Sequence, residues 1–357
     1  MGRVILPGLI DAHVHLREPG GEQKEGIASG TAAALAGGIV AVLDMPNNTP
    51  PVVDGAGLER KAALMRARAR CDWGLFVGAG DAAQPGPEEA RRAAGLKLYL
   101  TPTFGPLRIE SLGALLAIFR RWPAGRPIAV HAEGLAMAIP IGLAQLTGRR
   151  VHLCHVARAD EIALVRAAKE QGAPVTCEVT PHHLFLTRQD EARLGAYGHM
   201  KPTLGEQRDV DALWANLDVV DLVASDHAPH TRAEKDGSSP PPGVPGVETM
   251  LPLLLDAVQA GRLSLERVVQ LLHEGPLRVY GLGAPAARVE VELGGPWTVC
   301  GRALHSKCGW TPFEGRLVQG RVLRVDLRGQ TVFRDGQVLA EPGFGRAISY
   351  QSSAVSS

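Results

Sequence analysis

Eight short apolar runs, separated by amphipathic or alanine-rich segments, govern what this chain can fold into. The runs are VILPGLI, IVAVLDM, GLFVGAG, LKLYL, PIAVHAE, VHLCHV, PVTCEVT and VVDLVAS. Between most of them lie helical patterns such as KEGIASGTAAALAG, GLERKAALMRARAR, ESLGALLAIFRR, ADEIALVRAAKEQ and DVDALWANL. Strand and helix in repeated alternation argue for parallel pairing, because a parallel neighbour is reached only by a crossover. Eight such units in 357 residues predict an α/β chain closed into a (β/α)8 TIM barrel rather than an open doubly wound sheet.

Past residue 285 the texture changes. RLVQGRVLRVDLRGQTVFRDGQVL alternates polar and apolar residues around RGQ and RDGQ, the pattern of antiparallel hairpins. The expected organisation is a barrel over 1–285 and a small β appendage over 286–345 that the N-terminus completes. A flexible tail is expected over 346–357, where YQSSAVSS has nothing to bury. The abrupt start on a strand and the short polar tail suggest a domain excised from a longer polypeptide.

Lys and Arg total 38 against 37 Asp and Glu, so no global field favours nucleic acid or an anionic membrane. The longest apolar stretch, AAALAGGIVAVL, is broken by a glycine pair and is too short to span a bilayer. The start lacks a secretory signal. Cys71, Cys154, Cys177, Cys300 and Cys308 are scattered with no CxxC pair, which fits a reducing, cytoplasmic location.

In barrels of this kind chemistry sits at the carboxyl ends of the strands. His13 and His15, at spacing two, point to the same face of the first strand. Arg17 just beyond them suits an anion clamp. The second run ends in DMPNN with Asn47, the fourth carries Lys97, and the fifth and sixth end in His131 and His155. The seventh ends in Glu178 and the eighth in SDHAPH, with Asp226 and His230.

Each has an ordinary reading alone. A strand histidine is commonly a satisfied core group, Lys97 can run its stem along apolar surface to water, and Asp226 can cap the next segment. Six strands bringing such groups to one mouth favour a metal centre. A lysine inside an apolar strand loses the solvation of its ammonium form. The neutral amine can add carbon dioxide and become a carbamate whose two oxygens bridge cations. The expected centre is therefore binuclear, with His13, His15 and Asp226 on one cation, His131 and His155 on the other, and carbamylated Lys97 between. Two Zn2+ suit these ligands, with cobalt and manganese left open.

PGLIDAHVHLREPG, GLKLYL, HAE, HLCHVAR, CEVTPHHLFL and ASDHAPHT together resemble dihydroorotases of the amidohydrolase superfamily. ASGTAAALAGGI, PPPGVPGVETMLPLLL and WTPFEG are similar to the dihydroorotase domain of a multifunctional animal protein. That protein also carries carbamoyl phosphate synthetase and aspartate transcarbamoylase. The resemblance runs from about residue 3 to about residue 340. It implies a metal-dependent amidohydrolase barrel that interconverts N-carbamoyl-L-aspartate and L-dihydroorotate in de novo pyrimidine biosynthesis. A hydroxide held between the metals would attack, with Asp226 as general acid and base.

The resemblance further implies that Arg17 and Asn47 bind the substrate carboxylate and that His230, Pro242 and Gly243 line the ring pocket. Thr103 and Phe104 match a mobile loop over the substrate, with an ordinary surface turn as the other reading. Lys201 stands where animal-type domains carry an arginine, and a lysine meets a carboxylate with poorer geometry. A third Zn2+ position is implied at His13, Cys154 and Glu178, although a buried strand thiol is the other reading of Cys154. His182 and His183, read as strand neighbours, cannot both face the mouth. A homodimer through barrel helices is implied, with carbamoyl phosphate synthetase and aspartate transcarbamoylase domains as partners on the same polypeptide. The alternatives are a dihydropyrimidinase, hydantoinase or allantoinase, whose neutral rings need no Arg17–Asn47 receptor, and a non-catalytic scaffold on the same barrel.

Overall fold

Pro7 and Gly8 divide the first apolar run between two sheets. In the computed structural model, which describes residues 2–103 and 105–350, β1 (Gly2–Pro7) pairs antiparallel with a C-terminal strand. The next strand, β2 (Leu9–Val14), pairs parallel with its successor. VILPGLI is thus two strands and not the one expected. Proline has no N–H with which to continue a ladder. Gly8 passes so close to its neighbours that a Cβ would lie 2.8 Å from Ala287 Cβ and 2.9 Å from Val40 Cγ2.

The other seven runs each supply one barrel strand. They are β3 (Ile39–Asp44), β4 (Asp72–Gly78), β5 (Gly95–Tyr99), β6 (Ile128–His131), β7 (Val151–Leu153), β8 (Val175–Val179) and β9 (Leu222–Val223). With β2 they form a parallel eight-stranded sheet in sequence order. Closure is made where the last strand meets the first. His15 N–H donates to the His227 carbonyl at 2.8 Å. Asp11 Oδ1 accepts from the N–H groups of His13 at 3.2 Å and Ser225 at 3.1 Å. Burial raises the Asp11 carboxyl to about 7. The result is the (β/α)8 barrel that the alternation implied.

Strands covered on both faces read as unbroken apolar runs, and β3, IVAVLD, is buried at every position. One set of its side chains meets the helices. The other set joins Ile10, Phe76, Ala129 and Leu222 inside the barrel, where Tyr280 packs edge-on against Phe76.

The second sheet runs β1-β10-β11-β12-β13, with β10 (Ala287–Thr298), β11 (Leu317–Leu327), β12 (Gln330–Arg334) and β13 (Gln337–Val338). Its two tight turns are Arg328-Gly329 (φ 53° and 77°) and Asp335-Gly336 (φ 49° and 82°). Consecutive left-handed residues match the twist of the flanking strands. Residues 346–350, expected as the start of a flexible tail, instead lie along the barrel. Trp73 N–H donates to the Arg346 carbonyl at 2.9 Å, and Ile348 N–H donates to the Trp73 carbonyl at 2.8 Å. The Tyr350 ring sits 4.3 Å from the Arg126 guanidinium carbon. An apolar Ile348 and an aromatic Tyr350 give this segment something to bury. Among the described residues no helix is long and apolar enough to cross a membrane.

Candidate active site

At the carboxyl ends of the barrel strands one cavity is lined by His13, His15, Lys97, His131, His155 and Asp226, and by Arg17, Asn47, Thr103, Lys201, Pro242 and Gly243. All these were singled out from the sequence. Tyr99 and Ala228 also line it and were missed. Tyr99 lies two residues beyond Lys97 on β5, so spacing alone put it on the same face. Its hydroxyl is buried without a hydrogen-bond partner among the described residues. Phe104 lies outside the described residues.

The histidines form a chain. Ring centroids of His13 and His15 are 5.4 Å apart, as are those of His13 and His155, and those of His155 and His131 are 4.6 Å apart. His131 Nδ1 lies 2.9 Å from His155 Nε2. Asp226 Oδ1 closes the group, 3.1 Å from His15 Nε2 and 3.3 Å from His13 Nε2. Neighbours orient the rings. His15 Nδ1 meets Asn47 Oδ1 at 2.7 Å, and His13 Nδ1 meets Glu178 Oε1 at 2.5 Å. Each carbonyl or carboxylate oxygen accepts an Nδ1–H and leaves the Nε2 lone pair facing Asp226.

The donor set suits metal ions. Burial lowers the pKa of His13, His15, His131 and His155, so they stand as neutral imidazoles, the form that ligates. His155 Nδ1 is buried with no hydrogen-bond partner among the described residues. Lys97 is fully buried. Its amine donates to Cys154 Sγ at 3.0 Å and lies 5.3 Å from the Tyr99 ring centroid. Backbone strain collects here too. Arg17, His155 and Asp226 hold φ of 64°, 38° and 44°, a left-handed region uncommon for residues other than glycine.

Glu178 and Cys154 lie behind the cavity rather than in it. Glu178 Oε2 is 3.1 Å from His152 Nε2, and His152 Nδ1 is 2.9 Å from Thr176 Oγ1. Burial pushes Glu178 upward, but His13 and then His152 hold it well below the usual carboxylate range. Donor atoms of His13, Cys154 and Glu178 lie within 4.8 Å of one another. Those of His13 and Cys154 already serve hydrogen bonds, and burial raises the Cys154 thiol to about 12, away from the thiolate that binds metal. His182 and His183 need a correction. They sit on the short helix Pro181–Phe185 rather than on a strand. Pro181 starts that helix and Thr180 caps it, which a proline at the first turn favours. His183 Nε2 reaches the Pro202 carbonyl at 3.0 Å.

Arg17 and Lys201 bring positive charge to the same cavity, while His230, expected in the ring pocket, lies buried behind Arg17 and outside the lining. Arg17 Nε donates to the Pro229 carbonyl at 3.1 Å, and its Nη2 lies 3.2 Å from His230 Nε2. Burial lowers the Arg17 guanidinium to about 10. Lys24, which sequence reasoning missed, is buried beside His230, its Nζ 3.4 Å from Nδ1. A second missed lysine, Lys61, supports the wall from behind. It donates to the Met45 carbonyl at 2.7 Å and to Asn48 Oδ1 at 2.6 Å, and its Nζ is 2.9 Å from Asp44 Oδ2. Asp44 Oδ1 accepts the Leu16 N–H at 3.0 Å. Lys61 thereby holds both the turn that bears Asn47 and the residue before Arg17. Neither lysine falls on a strand end, so position gave no cue to either.

Residues 4–292 match the model described as the amidohydrolase family, and the chain belongs to that family. Its curated relatives narrow the likeness to dihydroorotases. The chain is 50% identical over 346 residues to the multifunctional protein CAD of Squalus acanthias, matching 96% of this chain but only 15% of that protein's length. It is 36% identical over 372 residues to the dihydroorotase of Pyrococcus furiosus, covering 97% of this chain and 86% of that protein. Among solved structures, the L-hydantoinase of Arthrobacter aurescens superposes with a TM-score of 0.92 at 26% identity, over 98% of this chain and 89% of that one. The inactive dihydroorotase-like domain of a Chaetomium thermophilum CAD-like protein superposes with a TM-score of 0.83, also at 26% identity, over 98% of this chain and 100% of that one.

Proposed function

We propose that the chain is a dihydroorotase that reversibly closes N-carbamoyl-L-aspartate to L-dihydroorotate in de novo pyrimidine biosynthesis. The observation that carries this is one cavity lined both by an imidazole–carboxylate–lysine set and by Arg17, whose Nη2 lies against His230 just behind the lining. A cyclic amide that bears its own carboxylate needs both.

His13, His15 and Asp226 would hold one cation and His131 and His155 the other, with carbamylated Lys97 between them. Two zinc ions bound there supply an acidified water and a polarised amide carbonyl. Arg17 takes the substrate carboxylate two-pronged, as a planar guanidinium can. His230, Asn47 and Lys201 add polar contacts, Pro242 and Gly243 flank the ring, and Thr103 lines the mouth beside it. Asp226 accepts the proton released during ring opening and returns it to the departing ring nitrogen. In closure the carbamoyl nitrogen attacks the side-chain carboxyl carbon. Asp226 carries that nitrogen's proton to the leaving oxygen, which departs as water with a second proton from solvent.

The test compares zinc-loaded protein on dihydroorotate, dihydrouracil and hydantoin. Turnover of dihydroorotate alone is expected. Preference for the neutral rings would favour the hydantoinase reading, which the Arthrobacter aurescens likeness keeps in view. A fully metallated protein inactive on all three would place it with the scaffold reading.

A homodimer is also part of this reading. The helix Ala138–Thr147 and the turn before it expose Leu135 at 95%, Ile139 at 43% and Leu146 at 82%. With Gly142 among them, they form one apolar stripe at helical spacing. A second copy of the chain is the occupant proposed for that face. The unpaired cysteines fit a cytoplasmic setting. The match to part of a much longer protein fits fusion to synthetase and transcarbamoylase domains.

A further inference from the structure

Lys235 is 1% exposed, and among the described residues no carboxylate forms an ion pair with it. Its neighbour Glu234 is engaged elsewhere. Glu234 Oε1 lies 2.9 Å from Lys24 Nζ, and Oε2 accepts from Thr231 N–H at 2.9 Å and Thr231 Oγ1 at 3.1 Å. The Lys235 ammonium instead donates to two backbone carbonyls, His199 at 3.0 Å and Pro241 at 2.9 Å. Its third neighbour is the Trp310 ring, whose centroid is 5.4 Å from Nζ. Burial, then the charge of Arg17, lowers this lysine to about 8, so it stays an ammonium at neutral pH.

Both carbonyls belong to segments that line the cavity. His199 stands two residues before Lys201, and Pro241 stands directly before Pro242 and Gly243. The segments also touch each other. Gly243 N–H donates to the His199 carbonyl at 3.0 Å, and His199 Nδ1 lies 3.1 Å from the Pro240 carbonyl. Gly243 holds φ of 134°, and a Cβ there would lie 2.5 Å from the Ala228 carbonyl oxygen, so the seat is close. Lys235 is itself fixed from below. Thr231 and Glu234 cap the short helix Arg232–Lys235 reciprocally, with Thr231 Oγ1 accepting the Glu234 N–H at 3.1 Å. Trp310 Nε1 donates to the His230 carbonyl at 2.7 Å, just before that cap.

We propose that Lys235 is a positioning residue whose ammonium pins the Lys201 segment to the Pro242–Gly243 segment and so presets the wall that a substrate ring meets. That the ring is dihydroorotate rests on the dihydroorotase reading, but the pin does not. An ammonium suits the place because three hydrogens and no lone pair let it hold two carbonyls at once. A wall already in its binding geometry spares the substrate the cost of ordering it. A wall in that geometry only about a tenth of the time weakens apparent binding about tenfold. Lys235 need not touch the substrate for this effect.

The experiment uses the full chain, zinc-loaded, as wild type, Lys235→Met and Lys235→Gln. Hydrogen exchange at the Gly243 amide, without any substrate, reads the pin. Lys235→Met is expected to exchange about tenfold or more faster than wild type, with Lys235→Gln, whose amide still donates, in between. With dihydroorotate, Lys235→Met should raise KM about tenfold with kcat within about threefold, because the wall meets the ring and not the reacting bond. Lys235→Gln should again fall between. Wild-type exchange in Lys235→Met overturns the proposal. So does faster exchange with an unchanged KM, which would make the contact structural only, and so does a loss confined to kcat. If the methionine variant does not fold, the glutamine variant carries the same comparison with wild type. A wild type inactive on dihydroorotate would sink the functional reading, and exchange at Gly243 would then decide for or against the pin.

Discussion

Replacing Lys97 by alanine should deplete the centre of metal, because in the proposed centre the buried amine becomes the carbamate that two cations would share. Elemental analysis of the purified variant checks this, and wild-type metal content would refute the bridge. Asp226→Ala has a different expected outcome. His13 and His15 remain, so most metal should stay, while turnover should fall by about 10²–10⁴-fold, the range for loss of a general acid–base group. Activity and metal content measured on the same sample separate the two roles. The strand-end residues were legible because period two on a strand names a face. Lys24 was not, because its contact with His230 joins positions 206 residues apart.

At the scale of elements, Lys61 ties the helix Gly55–Arg68 to the turn after β3. Lys61→Met removes one partner of a fully buried pair with Asp44. Stranding that carboxylate should cost about 3–5 kcal/mol of stability, read as a lowered denaturant midpoint with an unchanged slope. KM should rise as well, since Asn47 and the Leu16–Arg17 backbone lose their support. The strand set was readable from apolar runs, and hairpins from RGQ and RDGQ. The division of VILPGLI was not, because periodicity cannot say which sheet a strand joins. Pro7 was the one local hint. Likewise the PHHLF segment forms a helical turn since Thr180 accepts the His183 N–H at 3.3 Å, a capping choice that apolar patterning does not report.

Over the whole molecule, the appendage is tied to the barrel partly by His305 and Glu248, 2.9 Å apart. The hydrogen bond to Glu248 raises the pKa of His305 above 6.5 in the folded chain. A raised histidine stabilises fully below its unfolded pKa, and that contribution fades as pH climbs through the folded value. His305→Gln should therefore lower the melting temperature below pH 6.5 and leave it nearly unchanged in mild alkali. A pH-independent loss would contradict the pairing. The second whole-molecule expectation concerns the stripe around Leu146. Leu146→Glu should turn a dimer into a monomer by light scattering, with barrel and metal content intact. A wild type that is already monomeric would remove that part of the reading.

What the linear chain determined by itself was the alternation of strand and helix around the barrel and the end of each strand where chemistry gathers. Both follow from periodicities that act over a few residues. Three-dimensional packing alone decided the rest. It split the first run between sheets, drew residues 346–350 onto the barrel, and set Glu178 behind His13 rather than in the cavity. It also placed Lys24 and Lys61 beneath the site they support. Hydrogen bonds between distant segments carry no local period, so their partners exist only once the barrel has closed.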